Sequence, residues 1–227
     1  QCSWVHKDRE KATEKAKQIL RAAVARVLRQ EALTPRKVEI KPSALVVRAG
    51  IAGIQAALTM ANEGIRVFLV EKAPCIGGHM AQLDKTFPTL DCASCIFTPK
   101  TVEVAQNKNI ELHVCSEVAE VKGHVGNFTV TIKKQATYVD HSRCTGCGDC
   151  MEACVLKKGV PSEFEEGMAM RRAIYIPFPQ AIPMKATIDK ESCLFLSKGK
   201  CKKTCMDACK AGAIDFEQKE QILEKEV

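Results

Sequence analysis

The sequence predicts an α/β half-domain with a smaller α+β module set into it, and three observations carry that prediction. Two short apolar runs, ALVV at 44–47 and RVFLVEK at 66–72, frame a glycine-bearing turn and a helical pattern, as in a βαβ unit. Cys144, Cys147, Cys150 and Cys154 stand at steps of three, three and four in RCTGCGDCMEAC. A second set, Cys193, Cys201, Cys205 and Cys209, follows further along.

Ahead of the first strand, Ala12, Ala16, Ile19, Ala23 and Val27 recur at steps of three and four between Arg9 and Leu33. That is the period of an amphipathic helix, which Pro35 ends. We expect it to be a docking or capping arm without chemistry of its own. The segment 34–43 carries two prolines and reads as an extended linker, so residues 1–43 form a first region.

ALVV suits a buried parallel strand, and RAGIAGIQAALTMANEG supplies turn, helix and stop signals in order. Within it Gly50 and Gly53 fall on the second and third glycines of GxGxxG, while Arg48 takes the first place. A dinucleotide's pyrophosphate sits on such a helix N-terminus, where N–H groups and the helix dipole favour anions. Glu71, eighteen residues past Gly53, is placed to hold the ribose hydroxyls of an adenosine. Arg48 strains the tight turn that glycine permits, although a guanidinium there can pair with phosphate. A nucleotide-free βαβ unit kept for packing is the alternative.

Residues 73–100 read as irregular, with Gly77-Gly78, three prolines and the pair Cys92/Cys95 in DCASC. Long loops inside compact domains are usually functional. The pair reads as a redox dithiol, as part of a further [4Fe–4S] cluster with Cys75, or as a plain turn. A short helix is expected from Thr98. NIELHVCSEV and NFTVTIKKQATYV then alternate apolar and polar as strands, turning at Gly123 and Gly126-Asn127, and are expected to form a β-meander completing a domain at 44–135. Cys115, inside the first of these strands, reads as a small buried hydrophobe.

The tight CxxCxxCxxxC run is the thiolate spacing of bacterial iron–sulfur modules rather than of zinc ribbons. Structural zinc and disulfides are the rival readings. In two-cluster ferredoxins the fourth cysteine of each set ligates the other cluster. Carried over, one [4Fe–4S] cluster takes Cys144, Cys147, Cys150 and Cys209, and the other takes Cys193, Cys201, Cys205 and Cys154. The first set departs only in Val155, where proline is usual. The second is wider, with seven residues between Cys193 and Cys201 and three between Cys201 and Cys205. Gly146, Gly148 and Gly199 allow N–H groups to turn toward cluster sulfurs. The stretch 156–190, with four prolines, reads as a surface-covering loop within a module at 136–216, and 217–227 reads as a return segment.

The apolar fraction of 46% permits one good core plus a smaller module, and aromatic content is only 5%. The net charge of +7 is spread without a basic block or interleaved aromatics, which argues against nucleic acid. It suits an acidic electron-transfer partner or an anionic flavin diphosphate. No stretch reaches a membrane span and the first residues lack a signal-peptide core, so a cytoplasmic location is expected. Gln1 in place of Met and the abrupt ends suggest a processed chain or a piece of a longer one. The five histidines are scattered and no Ser/His/Asp arrangement is evident, so catalysis is expected to belong to cofactors.

SALVVRAGIAGIQAAL, VEKAPCIGGHMAQLDKTFPTLDCASCIFTPK, GNFTVTIKKQATYVD, CTGCGDCMEAC and AIYIPFPQAIP together closely resemble the A subunits of heterodisulfide reductases, a flavin and iron–sulfur family. The likeness runs over nearly the whole chain. It implies a Rossmann-like, thioredoxin-reductase-like FAD half-domain interrupted by a bacterial-ferredoxin-like module with two [4Fe–4S] clusters. Gly50, Ala52, Gly53, Glu71, Lys72, Gly77, Gly78 and His79 would then contact FAD. It also implies an electron-transferring oxidoreductase subunit, working in flavin-based electron bifurcation coupled to disulfide reduction, as in methanogenesis. Implied partners are other heterodisulfide reductase subunits, a hydrogenase or formate dehydrogenase electron-input subunit, and a second copy in a homodimer. In that family the flavin domain resumes after the insertion, and QCSWVH resembles the end of an N-terminal domain, making Cys2 an orphaned ligand. A ferredoxin-like carrier or assembly subunit with an empty nucleotide fold is the second reading, and a zinc-stabilised interaction module the third.

Overall fold

A computed structural model describes residues 2–35, 37 and 39–227. It divides into two compact units, residues 1–38 and 39–227. The first holds helices α1 (Cys2–Val5) and α2 (Arg9–Leu28). Asp8 starts α2 by accepting the Glu10 N–H at 2.9 Å, as an N-cap does. The helix stops at Leu28, short of the expected Leu33, because the Arg29 N–H turns back onto the carbonyls of Arg26 and Val27. None of its residues is buried, so the apolar period here has no packed face behind it. The expected linker falls partly on Arg36 and Val38, which lie outside the described residues.

The second unit opens with β1 (Ser43–Val47), α3 (Ile51–Asn62) and β2 (Arg66–Val70). A 3₁₀ turn follows at Gly78–Gln82, then the short pair β3 (Lys85–Thr86) and β4 (Asp91–Cys92), helix α4 (Ala93–Gln106) and strand β5 (Ile110–His113). Strands β1, β2 and β5 form a parallel sheet in that order, with Val47 beside Val70 and Val70 beside His113. Parallel strands are covered by helices, which explains the continuous apolar runs. From α3, Ile54, Ala57, Leu58 and Ala61 are buried, at the spacing of one helical face, against Val67, Leu69, Phe97 and Val104.

Two expectations change here. Helix α4 starts at Ala93 rather than Thr98 and carries Pro99 inside it. Its buried Ala93, Phe97, Thr101 and Val104 hold one face to the core, and that packing outweighs the hydrogen bond the proline removes. The expected meander is also divided. IELH joins the parallel sheet as β5, and Cys115, at φ 51°, turns the chain out of it instead of lying in a strand. Beyond that turn β6 (Ser116–His124) and β7 (Asn127–Lys134) form an antiparallel hairpin.

The following stretch holds α5 (Asp149–Glu152), the two-stranded pairs β8 (Val160–Pro161) with β9 (Met170–Arg171) and β10 (Ile174–Tyr175) with β11 (Thr187–Ile188), then α6 (Leu194–Lys198) and α7 (Thr204–Ala208). Finally β12 (Gln221–Glu226) pairs with β7. A second core gathers Val139, Ala173, Ile174, Ala186, Ile188 and Ile214 among buried cysteines. Of the expected surface loop at 156–190, much of 157–170 is exposed, but 173–188 is mostly buried or half-buried. Phe178 and Ala181 pack into the core of the parallel sheet, Ile174 and Ile188 into the second core, and Ile76 bridges to Ile182. The apolar spacing of AIYIPFPQAIP outweighs its prolines.

Candidate functional site

The eight cysteines of the two sets divide crosswise. Cys144, Cys147, Cys150 and Cys209 line one cavity, with Val139, Ala186, Ala213 and Ile214. Cys154, Cys193, Cys201 and Cys205 line a second, with Ile174, Ile188, Phe195 and Phe216. Each cavity encloses about 20 Å³, so the wider loop between Cys193 and Cys201 does not enlarge its site. The crossing comes from α5 and α7: each short helix carries the third cysteine of its set, Cys150 or Cys205, and delivers the fourth to the opposite cavity. Gly146, Gly148 and Gly199 all lie at positive φ.

Burial pushes the Cys150 thiol up to about 12, with further repulsion from Cys144, Cys209 and Cys147. Cys205 is pushed up to about 11 by burial and then by Cys154, Cys193 and Cys201. Cys150 and Cys205 thus favour the neutral thiol, and a nearby positive charge such as a metal's would draw the proton off. Cys209 Sγ also accepts the Ala213 N–H at 3.3 Å.

The glycine motif folds into the turn from β1 to α3. A Cβ at Gly53 would stand 2.0 Å from the Arg48 carbonyl oxygen, so only glycine fits this close approach. A Cβ at Gly50 would meet nothing within 4 Å. That vacancy borders the N-terminus of α3, which Gly50 caps without any side-chain bond. Gly77 donates its N–H to Ala49 O at 2.8 Å, and bridges Gly50, which draws the Gly77-Gly78 loop beside the turn. Arg48, exposed, occupies φ 79°. The Glu71 carboxylate is buried and takes the Ala49 N–H at 2.7 Å and the Ala73 N–H at 2.9 Å. Its first task is to tie the turn to the end of β2.

Other expected contacts point elsewhere. Lys72 pairs with Glu117 at 2.6 Å, His79 Nδ1 faces Gln82 Oε1 at 2.9 Å, and Ala52 is exposed on the first turn of α3. Cys92 and Cys95 are exposed and lie together, their sulfurs 2.8 Å apart. Cys75 is not with them. It packs into the parallel-sheet core, where burial, then Glu71 and Cys115, push its thiol up to about 12. Among the described residues no three His, Cys, Asp or Glu side chains gather where a single ion could be held.

The sequence model of the family described as FAD dependent oxidoreductase matches residues 44–158. The chain belongs to this family. Its α/β half is accordingly an FAD/NAD-binding, Rossmann-like fold. It is 49% identical over 226 residues to the A subunit of the H(2):CoB-CoM heterodisulfide,ferredoxin reductase of Methanothermobacter marburgensis, covering 99% of this chain and 33% of that protein. It is 53% identical over 227 residues to an iron-sulfur A subunit of the CoB--CoM heterodisulfide reductase of Methanopyrus kandleri, covering 100% and 33%. With the A subunit of the H(2)/formate:CoB-CoM heterodisulfide,ferredoxin reductase of Methanococcus maripaludis, 47% of 188 residues are identical, covering 82% and 28%. The chain is thus a homologue of these A subunits and spans about a third of the length of the first two.

Sequence reasoning missed one feature of this chain. A cavity of about 430 Å³ opens between the Cys75–Gln82 loop and residues 162–178, walled by Tyr175 and by Phe164 stacked on Phe178 at 4.6 Å. Arg171 borders it, its side chain nearly buried, bonded to Glu163 and to Asp189 and lying 4.0 Å from the Tyr175 ring. The available signal was the aromatic content of AIYIPFPQ, read instead as loop. Among the described residues no helix is long and apolar enough to cross a membrane.

Proposed function

We propose that this chain is the flavin and iron–sulfur part of an electron-transferring oxidoreductase subunit like the A subunits it resembles, with FAD on the β1–α3 turn and a [4Fe–4S] cluster in each cysteine cavity. The observation that carries the reading is the crosswise sorting of eight cysteines into two equal cavities. That sorting supports the ligand exchange expected of a two-cluster ferredoxin-like module. Single zinc fits poorly: tetrahedral zinc draws its thiolates to about 3.8 Å from one another. Here the sulfurs ring a void, and no three ligating side chains gather on one point among the described residues.

The vacancy at Gly50, the close approach at Gly53 and the N–H groups starting α3 fit a pyrophosphate. Glu71 keeps lone pairs beyond the two it uses and would meet the ribose. The aromatic-walled cavity beside Gly78 and His79 would take an apolar ring. When bound, FAD exchanges electron pairs and the clusters single electrons. The chain's own residues supply thiolates, exclude water with Ile174, Ile188, Phe195 and Ile214, and set the charge around each cavity.

The relatives' names support a place in heterodisulfide reduction with hydrogen or formate as electron source, and electron bifurcation as the coupled process. Exposed Lys198, Lys200, Lys202 and Lys210 surround Cys201 and Cys209 in sequence and suit an acidic partner. A second reading, a cluster-bearing carrier with an empty nucleotide fold, is favoured by Arg48 at φ 79° where the motif has glycine. Metal and flavin analysis of anaerobically purified protein tests both. About eight irons and one FAD per chain support the first reading. Eight irons without flavin support the second, and two zincs without visible absorption reject both.

A further inference from the structure

We propose that Cys92 and Cys95 form a surface dithiol that exchanges with disulfides, Cys92 attacking and Cys95 resolving. The pair belongs to neither tetrad. Its sulfurs touch side by side at 2.8 Å, whereas the tetrad sulfurs surround cavities, and no third ligating side chain joins them among the described residues. Cys92 is the N-cap of α4, and its sulfur accepts both the Cys95 thiol and the Cys95 N–H, the latter at 3.3 Å. These two bonds, with help from the Ser94 N–H, hold Cys92 below the usual thiol range against burial and Asp84, while the same contact raises Cys95. The asymmetry assigns the roles: a thiolate that attacks, beside a thiol that keeps its proton until needed.

Access is open. Both cysteines are exposed, and Phe87, Leu90 and Ile96, on the same hairpin and first helical turn, are exposed large apolar groups. The substrate class is an organic disulfide, small or carried by a protein. Cys92 sulfur bonds to one substrate sulfur and the substrate S–S bond breaks, releasing one thiolate, which takes a proton. Cys95, losing its proton, then attacks Cys92 and releases the second thiol. The chain ends oxidised, with a Cys92–Cys95 disulfide, and the substrate has gained two electrons and two protons. An external dithiol restores the starting state.

This inference needs neither flavin nor clusters. Trypsin releases residues 86–100, TFPTLDCASCIFTPK, which carry these two cysteines and no other. The anaerobically purified full chain is treated with glutathione disulfide or with insulin, alkylated and digested. The peptide should lose two hydrogen masses as one substrate disulfide is reduced. Cys95→Ser should stop at a mixed disulfide on Cys92, and Cys92→Ser should react about tenfold more slowly. Reaction with glutathione disulfide alone marks a small substrate, and faster reaction with insulin marks a protein one. A peptide that stays in the dithiol form with both reagents, equal rates for the two single variants, or a loss of about four irons in the double serine variant overturns the proposal.

Discussion

Arg48→Gly should stabilise this protein, which is unusual for loss of a large side chain. Arg48 lies at φ 79°, and an L-residue in the left-handed region costs about 1–2 kcal/mol. Glycine removes that cost but gives the unfolded chain more freedom, worth about 0.5–1 kcal/mol. The side chain is exposed, so its removal leaves no cavity, and the backbone bond from Arg48 N to Val70 O at 2.8 Å is kept. The net gain is about 0.5–1 kcal/mol, or about 1–4 °C in Tm for a chain of this size. Thermal unfolding followed by circular dichroism, at matched iron and flavin content, measures it. Arg48→Ala is the control because it keeps a Cβ in the strained conformation. Equal stability of the Gly and Ala variants, or a lower Tm for Arg48→Gly, would refute the strain argument.

Three other outcomes are expected. Cys154→Ser should empty the cavity of the second cysteine set and Cys209→Ser that of the first, each lowering iron by about four per chain; electron paramagnetic resonance of the remaining cluster reports which survives. Gly50→Val should fold with unchanged Tm yet lose flavin, because the added atoms enter the open vacancy, whereas Gly53→Ala should destabilise by about 1–3 kcal/mol by pressing on the Arg48 carbonyl. Burial holds His113 below its ordinary 6.5, with Lys225 and Lys134 adding to the effect and Glu111 opposing it. The unfolded chain therefore binds the extra proton first, and stability should fall as pH drops through 6.5. Urea midpoints on either side of that pH check it, and His113→Gln should flatten the dependence.

The cysteine spacing and the glycine turn were legible because each is short-range: a few neighbouring residues set the backbone geometry, and the chemistry of thiols or N–H groups follows. The same holds for β1, α3 and β2, whose apolar periods matched. Reading failed where distant packing decides. Pro99 suggested a break, but Phe97 and Val104 hold α4 to the sheet. The prolines of 156–190 suggested a surface loop, but Phe178 and Ala181 sit in a core formed by residues far away in the chain. Helix α2 erred in the other direction, with a clean period and no buried face.

By itself the sequence determined which residue types capable of holding metal or phosphate are present, and at what local spacing. Only the tertiary structure decided that Cys75 stays apart from Cys92 and Cys95, that Phe164, Tyr175 and Phe178 wall a cavity, and that Glu71 secures the turn. Local spacing constrains a backbone over a few residues. Shared cavities and buried contacts depend on segments brought together by burial of apolar surface, an effect without direction along the chain.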